Sequence, residues 1–334
     1  MKRFLKRIVL FIGVPLVVLL AVYLVTDPYK TLRPFSLDYF VETNREYIST
    51  ELFLRNDPKY HYNSFVFGSS RCCGINTYHW KHYLPEGARP YLFQAWGETL
   101  TGIAQKINYL DRNGNSIDHA MVLLDVPSSL GPEQLPKTVL CIKNYRFSGQ
   151  PRWAYQARSF YGFIQKPSQW ISAIGNFVNP PVNVAFFDTI TNDWDANNRE
   201  ADLSRQPEKP CLKDCSPKVK SVFFKQIEGK TDADLHESEP LINEVLLTLL
   251  KQIKSVFDKH HTDYRIVITP AYCYANPSLN RGDRRILEDL FGVDRVYDYS
   301  GKNDLTVDYD NFSDPNHFGL CVGWQIIEDI YNIK

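Results

Sequence analysis

An α/β fold built on a mainly parallel sheet is what this sequence predicts, and three observations carry the expectation. Short apolar runs of strand length recur along the chain and stop at glycine, proline or polar turns. Segments with apolar residues at helical spacing alternate with them. The runs are continuously apolar, as strands covered by helices on both faces are.

Ser64–Phe67 reads as the first strand and stops at Gly68, with a sharp turn and a helix expected next. Tyr91–Ala95 is the second and runs to Gly97. From Thr99 to Asp111, Leu100, Ile103, Ala104, Ile107 and Leu110 share one helical face, and Asn113-Gly114 ends the segment. Ala120–Val126 is the third strand. The pattern resumes with a helix over Pro240–Asp258, whose face includes Leu246, Leu249, Ile253 and Phe257. A strand at Tyr264–Thr269, a helix at Arg281–Phe291, a short strand at Val296–Asp298 and a final helix from about Leu320 to Tyr331 complete the domain, 61–334.

Between these halves, 127–239 lacks strong periodicity and is rich in proline and aromatic residues, among them Trp153, Tyr155, Phe163 and Trp170. A stretch of that kind inside a compact domain reads as an insertion or cap. Its aromatics either line a sugar-binding groove or form the core of a small subdomain.

The N-terminus sets the expected compartment. Lys2, Arg3, Lys6 and Arg7 precede an uncharged run from Ile8 to Val25, interrupted only by Gly13 and Pro15 and closed by Asp27. A bilayer core takes ~20 helical residues, within a range of about 17–25. A cleaved signal peptide has a shorter apolar region, ~7–15 residues, and a small-x-small site that residues 21–26 do not offer. The expectation is therefore a cytoplasmic tail at 1–7, a transmembrane anchor at 8–26 with the lipid bilayer as partner, and a juxtamembrane segment at 27–60 broken by Pro28, Pro34 and Pro58. Positive charge on the N-terminal flank places the remainder outside the cytoplasm, in the periplasm or at the cell surface.

Composition excludes other classes. Lys and Arg total 38 and Asp and Glu total 38, so no basic field exists to hold nucleic acid. Seven cysteines leave at least one thiol free or paired between chains. Cys211 and Cys215 form a close pair in a polar loop, where a disulfide is favoured over zinc because no second ligand pair stands nearby. No Walker loop, Gly-x-Gly-x-x-Gly or His-Glu-x-x-His occurs, so no cofactor or metal is expected.

Two blocks carry possible chemistry. Phe67-Gly68-Ser69-Ser70-Arg71 ends the first strand, and a serine there either projects its hydroxyl over the sheet edge or caps the next helix. Asn311-Phe312-Ser313-Asp314-Pro315-Asn316-His317 precedes the last helix, and Asp314 there can orient the imidazole of His317 or merely close a turn. His79, His82, His260 and His261 show no such partner spacing and read as structural or exposed.

Together the blocks resemble the SGNH (GDSL-like) hydrolase superfamily. Gly-Ser-Ser behind an N-terminal apolar segment is more narrowly similar to the membrane-anchored branch that includes the teichoic-acid D-alanylation and alginate O-acetylation proteins. The resemblance covers roughly 60–130 and 240–334. It implies a three-layer, flavodoxin-like sandwich, with Ser70 as nucleophile, His317 as general base and Asp314 as its orienter. It implies an oxyanion held by the backbone N–H groups of Ser70 and Gly97, and action as an esterase or O-acyltransferase on an acylated cell-envelope glycan, with a membrane-bound acyl-transfer partner. The superfamily's Gly-x-Asn-Asp block is absent, its place being taken by Leu124-Asp125-Val126-Pro127-Ser128-Ser129. That departure motivates a second reading, a non-catalytic accessory that binds glycan or an acyl-transferring partner. A purely structural envelope protein is the third. Arg71 either binds an anionic substrate group or pairs on the surface, and Asp125 either contacts substrate or caps a loop.

Overall fold

The computed structural model describes residues 2–33, 44–126, 128–131, 143–179, 187–194 and 222–331. Cys211, Cys215 and much of the expected cap lie outside the described residues. The chain forms two compact units, one from 1–51 and 135–185, the other from 52–134 and 186–334. In order the elements are α1 Lys2–Thr26, α2 Arg45–Tyr60, β1 Ser64–Gly68, β2 Pro90–Gln94, α3 Leu100–Arg112, β3 His119–Leu124, α4 Arg152–Ile164, α5 Pro167–Val178, α6 Glu244–His260, β4 Asp263–Ile268, α7 Arg281–Phe291, β5 Val296–Asp298, β6 Phe312–Asp314, β7 His317–Phe318 and α8 Leu320–Tyr331.

The first unit holds α1, α4 and α5 around buried Tyr23, Tyr29, Tyr47, Tyr155 and Phe163. The apolar run is helical throughout, and Asp27 ends it: its carboxylate accepts the backbone N–H groups of Thr31, Leu32 and Arg33 at 2.9–3.3 Å. Among the described residues no helix is long and apolar enough to cross a membrane, so the anchor at 8–26 has no support from that measure. The expected insertion at 127–239 divides, because Tyr155, Phe163 and Ala173 find their apolar partners on α1 and around Tyr47.

The expected juxtamembrane segment at 27–60 is helical in its second half. Residues 45–60 form a regular helix of 16 residues, and Pro58 stands in its last turn, where the ladder is ending anyway. Leu52 and Phe53 are fully buried in the second unit, with Phe53 stacked on Phe93 at 5.0 Å.

The second unit is a five-stranded parallel sheet in the order β2-β1-β3-β4-β5. One face carries Val66, Leu92, Met121, Leu123 and Val267 against Val322, Ile326 and Ile330 of α8. The other presents Phe65 and Phe93 to Phe53 of α2, and Phe93 also lies under the ammonium of Lys106 on α3, a helix that in turn packs on α6. Three layers result, as the continuous apolar strands require. The free edge of β2 is covered by residues 187–194: Leu92 donates its N–H to Thr191 O at 2.9 Å and accepts from Asn192 Nδ2 at 2.6 Å. An edge so covered cannot template pairing with another chain.

Candidate functional site

Strand order reverses between β1 and β3, and the crevice beyond the carboxyl ends of such strands is where open α/β sheets bind ligands. Gly68 ends β1 at φ 156°. A Cβ there would stand 2.6 Å from Cys72 Sγ and 2.9 Å from Leu123 O, so only glycine fits the turn. Ser69 then caps the 3₁₀ turn Ser70–Gly74, its hydroxyl accepting from Arg71 N–H at 3.2 Å. Ser69 is buried and spent on that cap; Ser70 is only half-buried. Both roles weighed for the serine pair are thus present, one on each residue.

The second block folds into the β6–β7 hairpin, with Asp314 paired across it to His317. One Asp314 oxygen accepts the N–H groups of Asn316 at 2.8 Å and His317 at 3.1 Å. The other contacts His317 Nδ1 at 2.7 Å. Across the imidazole, Nε2 lies 2.7 Å from Ser70 Oγ. Burial alone would make Asp314 a weaker acid, but the hydrogen bond and charge of His317 and the two backbone donors outweigh it and hold the carboxyl below its ordinary range. An ionised Asp314 assigns the proton to Nδ1 and leaves Nε2 as acceptor for the Ser70 hydroxyl. The side chains of Asp314 and His317 are 25% and 37% exposed, so the relay is open to a ligand.

Packing holds this geometry. A Cβ on Gly323 would fall 1.7 Å from Gly74 O, so α8 sets its backbone directly on the Ser70 turn. Gly319 N–H donates to Asn311 O at 2.8 Å, and Tyr272 N–H to Pro315 O at 3.0 Å, which pins the hairpin at both ends.

Arg71 and Asp125 sit below the site in a buried network, and neither alternative weighed for Arg71 describes it. Arg71 is 5% exposed; it donates to Thr269 Oγ1 at 3.0 Å and Asn316 Oδ1 at 3.2 Å and stands 3.7 Å from Asp125. Asp125 is 2% exposed, accepts from Ser69 Oγ and, at 2.8 Å, from Thr269 Oγ1, and its N–H donates to Ser129 Oγ at 3.1 Å. Both are buried, and the side-chain bonds given above run to other parts of the fold. They tie the ends of β1, β3 and β4 to the histidine hairpin. Thr269, Asn316 and Asn276, which donates to Asn316 Oδ1 at 2.5 Å, belong to the same network. They had no sequence signal beyond standing at strand ends.

Gly97 follows β2, the neighbour of β1, at φ 62° and is exposed; Ala95 N–H donates to Gly68 O at 3.1 Å and ties this loop to the start of the serine turn. Next to it lies a fully buried ion pair, Glu98 with Lys106 at 2.5 Å. Gly102 makes room for it, since a Cβ there would collide with the Glu98 carboxylate. His79 is buried and stacks on Trp324 at 3.6 Å, and His260 contacts Asp111 at 2.7 Å, both apart from the Ser70–His317 pair. Cys72 and Cys273 carry free thiols, with that of Cys72 pushed up by burial, whereas Cys321 is disulfide-bonded. Among the described residues no group of three or more His, Cys, Asp or Glu side chains could hold a metal ion.

Fold and site together define a hydrogen-bonded Ser–His–Asp set at the switch-point edge of a parallel α/β sheet. No protein-family model matches the chain, and no curated protein matches it. The reading of what it does rests on its own residues.

Proposed function

We propose that this protein is a membrane-anchored, extracytoplasmic serine esterase or O-acyltransferase of the SGNH type, acting on an acylated cell-envelope glycan. The observation that carries the reading is the unbroken chain Ser70 Oγ, His317 Nε2, His317 Nδ1, Asp314, with 2.7 Å at both hydrogen bonds. In the reaction Ser70 Oγ attacks the acyl carbonyl carbon while its proton passes to His317 Nε2. The tetrahedral oxyanion accepts from the N–H groups of Ser70 and Gly97. Collapse expels the alcohol oxygen, which takes the proton from His317 and leaves the acyl group esterified to Ser70. Water or a sugar hydroxyl then repeats the sequence in reverse, deprotonated by His317. Asp314 stays ionised throughout and stabilises the imidazolium.

The compartment is supported by the basic residues 2–7 ahead of an apolar helix, by exposed Phe11 and Val17 on α1, and by the disulfide at Cys321, a bond that persists in oxidising surroundings. One observation favours the non-catalytic accessory reading. The position of the superfamily's asparagine donor is taken by the saturated Asp125 network, and a lost oxyanion donor costs about 3–4 kcal/mol of transition-state stabilisation.

A serine-reactive fluorophosphonate, applied to the full chain in detergent and read by intact mass, separates the two. The full chain is needed because Tyr23 of α1 belongs to the core of the first unit. One phosphonyl adduct is expected on wild type and none on Ser70→Ala or His317→Ala. A folded wild-type protein that takes up no label overturns the catalytic reading in favour of the accessory.

A further inference from the structure

We propose that the first unit touches the bilayer through a second element besides α1. Helix α5 lies in the membrane interface, with Ile171, Ile174, Phe177 and Val178 immersed among lipid chains. Much of the apolar surface of this helix faces outward, although Trp170 packs against the buried tyrosines. Its outward residues at i, i+3 and i+7 are Ile171, Ile174 and Val178, 76%, 48% and 77% exposed, with Phe177 beside them at 47%. Its inward positions hold Ala173 and Gln169, whose amide oxygen accepts from Tyr29 at 2.5 Å. A water-facing helix puts its apolar stripe inward and its polar residues outward.

Three further features choose lipid over protein as the occupant. Pro167–Val178 contains no charged residue, and α5 packs on α1, whose outer surface is itself apolar over Phe11, Val17 and Val25. Both helices of this packed pair thus expose apolar side chains. On α4, Trp153 and Tyr161 are 74% and 63% exposed two turns apart, the residue types that settle at headgroup level. Finally, among the described residues of this unit every exposed charged side chain is an arginine, including Arg33, Arg146, Arg152 and Arg158, while Asp27 and Glu46 are buried. That charge is complementary to anionic headgroups. Helices of this kind lie in the interface plane with the apolar face about 5–10 Å into the headgroup and acyl boundary.

The proposal depends neither on the serine chemistry nor on α1 spanning the membrane. It is tested by photo-crosslinking with p-benzoylphenylalanine placed singly at Ile174, at Ile171, at Val17 of α1, and at Val293, an exposed apolar position of the second unit. The full chain is reconstituted in vesicles of phosphatidylcholine and phosphatidylglycerol, irradiated and read by mass. Lipid adducts at 174 and 171, with none at 293, are the expected result. Crosslinked chain dimers at 174 and 171, or no adduct at either, overturn the proposal, even where Val17 yields lipid. Lipid at 174 and 171 without lipid at 17 upholds it and removes the spanning anchor instead.

Discussion

Asp314 on the β6–β7 hairpin and Asp125 just past β3 of the parallel sheet are both carboxylates, yet the structure surrounds them in opposite ways. Asp314 is a quarter exposed, accepts two backbone N–H groups, and turns its remaining oxygen to an imidazole that is itself open to solvent. Asp125 is almost wholly buried, faces a buried guanidinium, and has both oxygens occupied by hydroxyls from neighbouring strand ends. A carboxylate shapes chemistry when its partner can still exchange a proton with something outside the fold. When every partner is another piece of scaffold, the same group only joins strands. Proximity to Ser70 does not make this distinction, since Asp125 reaches Ser69, the residue next to it.

The largest expected effect breaks the functional side of that contrast. Asparagine at 314 cannot accept from Nδ1–H with its amide nitrogen, so Asp314→Asn favours the tautomer with the proton on Nε2 and leaves Ser70 without a base. The rate of phosphonylation of the folded variant should fall by about 10⁴-fold, the cost of a wrong tautomer in such a triad. A variant that labels within a few-fold of wild type would show that Asp314 only closes the turn.

The scaffold side breaks differently. Asp125→Ala strands Arg71 as a buried charge, and removing one partner of such a pair costs about 3–5 kcal/mol. Denaturant unfolding should show that loss of stability, while protein that remains folded keeps Ser70 reactive. A stable Asp125→Ala protein that has lost labelling would instead assign Asp125 to the chemistry.

How legible each side was follows from where its information lies. The strands and the helices α3, α6, α7 and α8 were readable because burial on both faces of a parallel sheet writes itself as continuous apolar runs, with helical spacing between them. Ser70, Asp314 and His317 were readable because glycine before a serine and Asp-x-x-His in a turn are local patterns, and their separation along the chain matches the strand order. The Arg71 network was not. An arginine beside Ser70 looks alike in sequence whether it faces solvent or core, and its partners Thr269 and Asn316 come from distant turns. Helix α2 was hidden by Pro58, whose cost vanishes in a last turn, and by apolar residues that pack on two different units. The division of the aromatic insertion was equally hidden, since only tertiary packing pairs Tyr155 with Tyr47.

A third carboxylate sharpens the comparison with an effect of opposite sign. Asp193, in the segment that covers the β2 edge, is buried, and it accepts from Thr77 N–H at 3.0 Å and from the hydroxyls of Thr77 and Thr191 at 2.6 and 2.9 Å. All three donors are neutral, so burial outweighs them and pushes the group up to about 7, where Asp314, with an imidazole partner, is held down. An unfolded aspartate ionises near 3.9. From there to about pH 7 the unfolded chain has lost a proton that folded Asp193 retains, so its contribution to stability falls as pH rises, by up to about 1.4 kcal/mol per pH unit, and then levels off. Asp314 runs the other way: its contribution is present above the unfolded value and is lost as pH falls through the folded one. Asp193→Asn imitates the protonated acid and removes only the first dependence. The difference in unfolding free energy between wild type and variant should therefore shift in the variant's favour from about pH 4 to pH 7 and stay constant above it, with Ser70 labelling unchanged. A difference that is flat over that window would mean that the three neutral donors hold Asp193 ionised, and that burial without a cationic partner does not separate the edge clamp from the histidine hairpin.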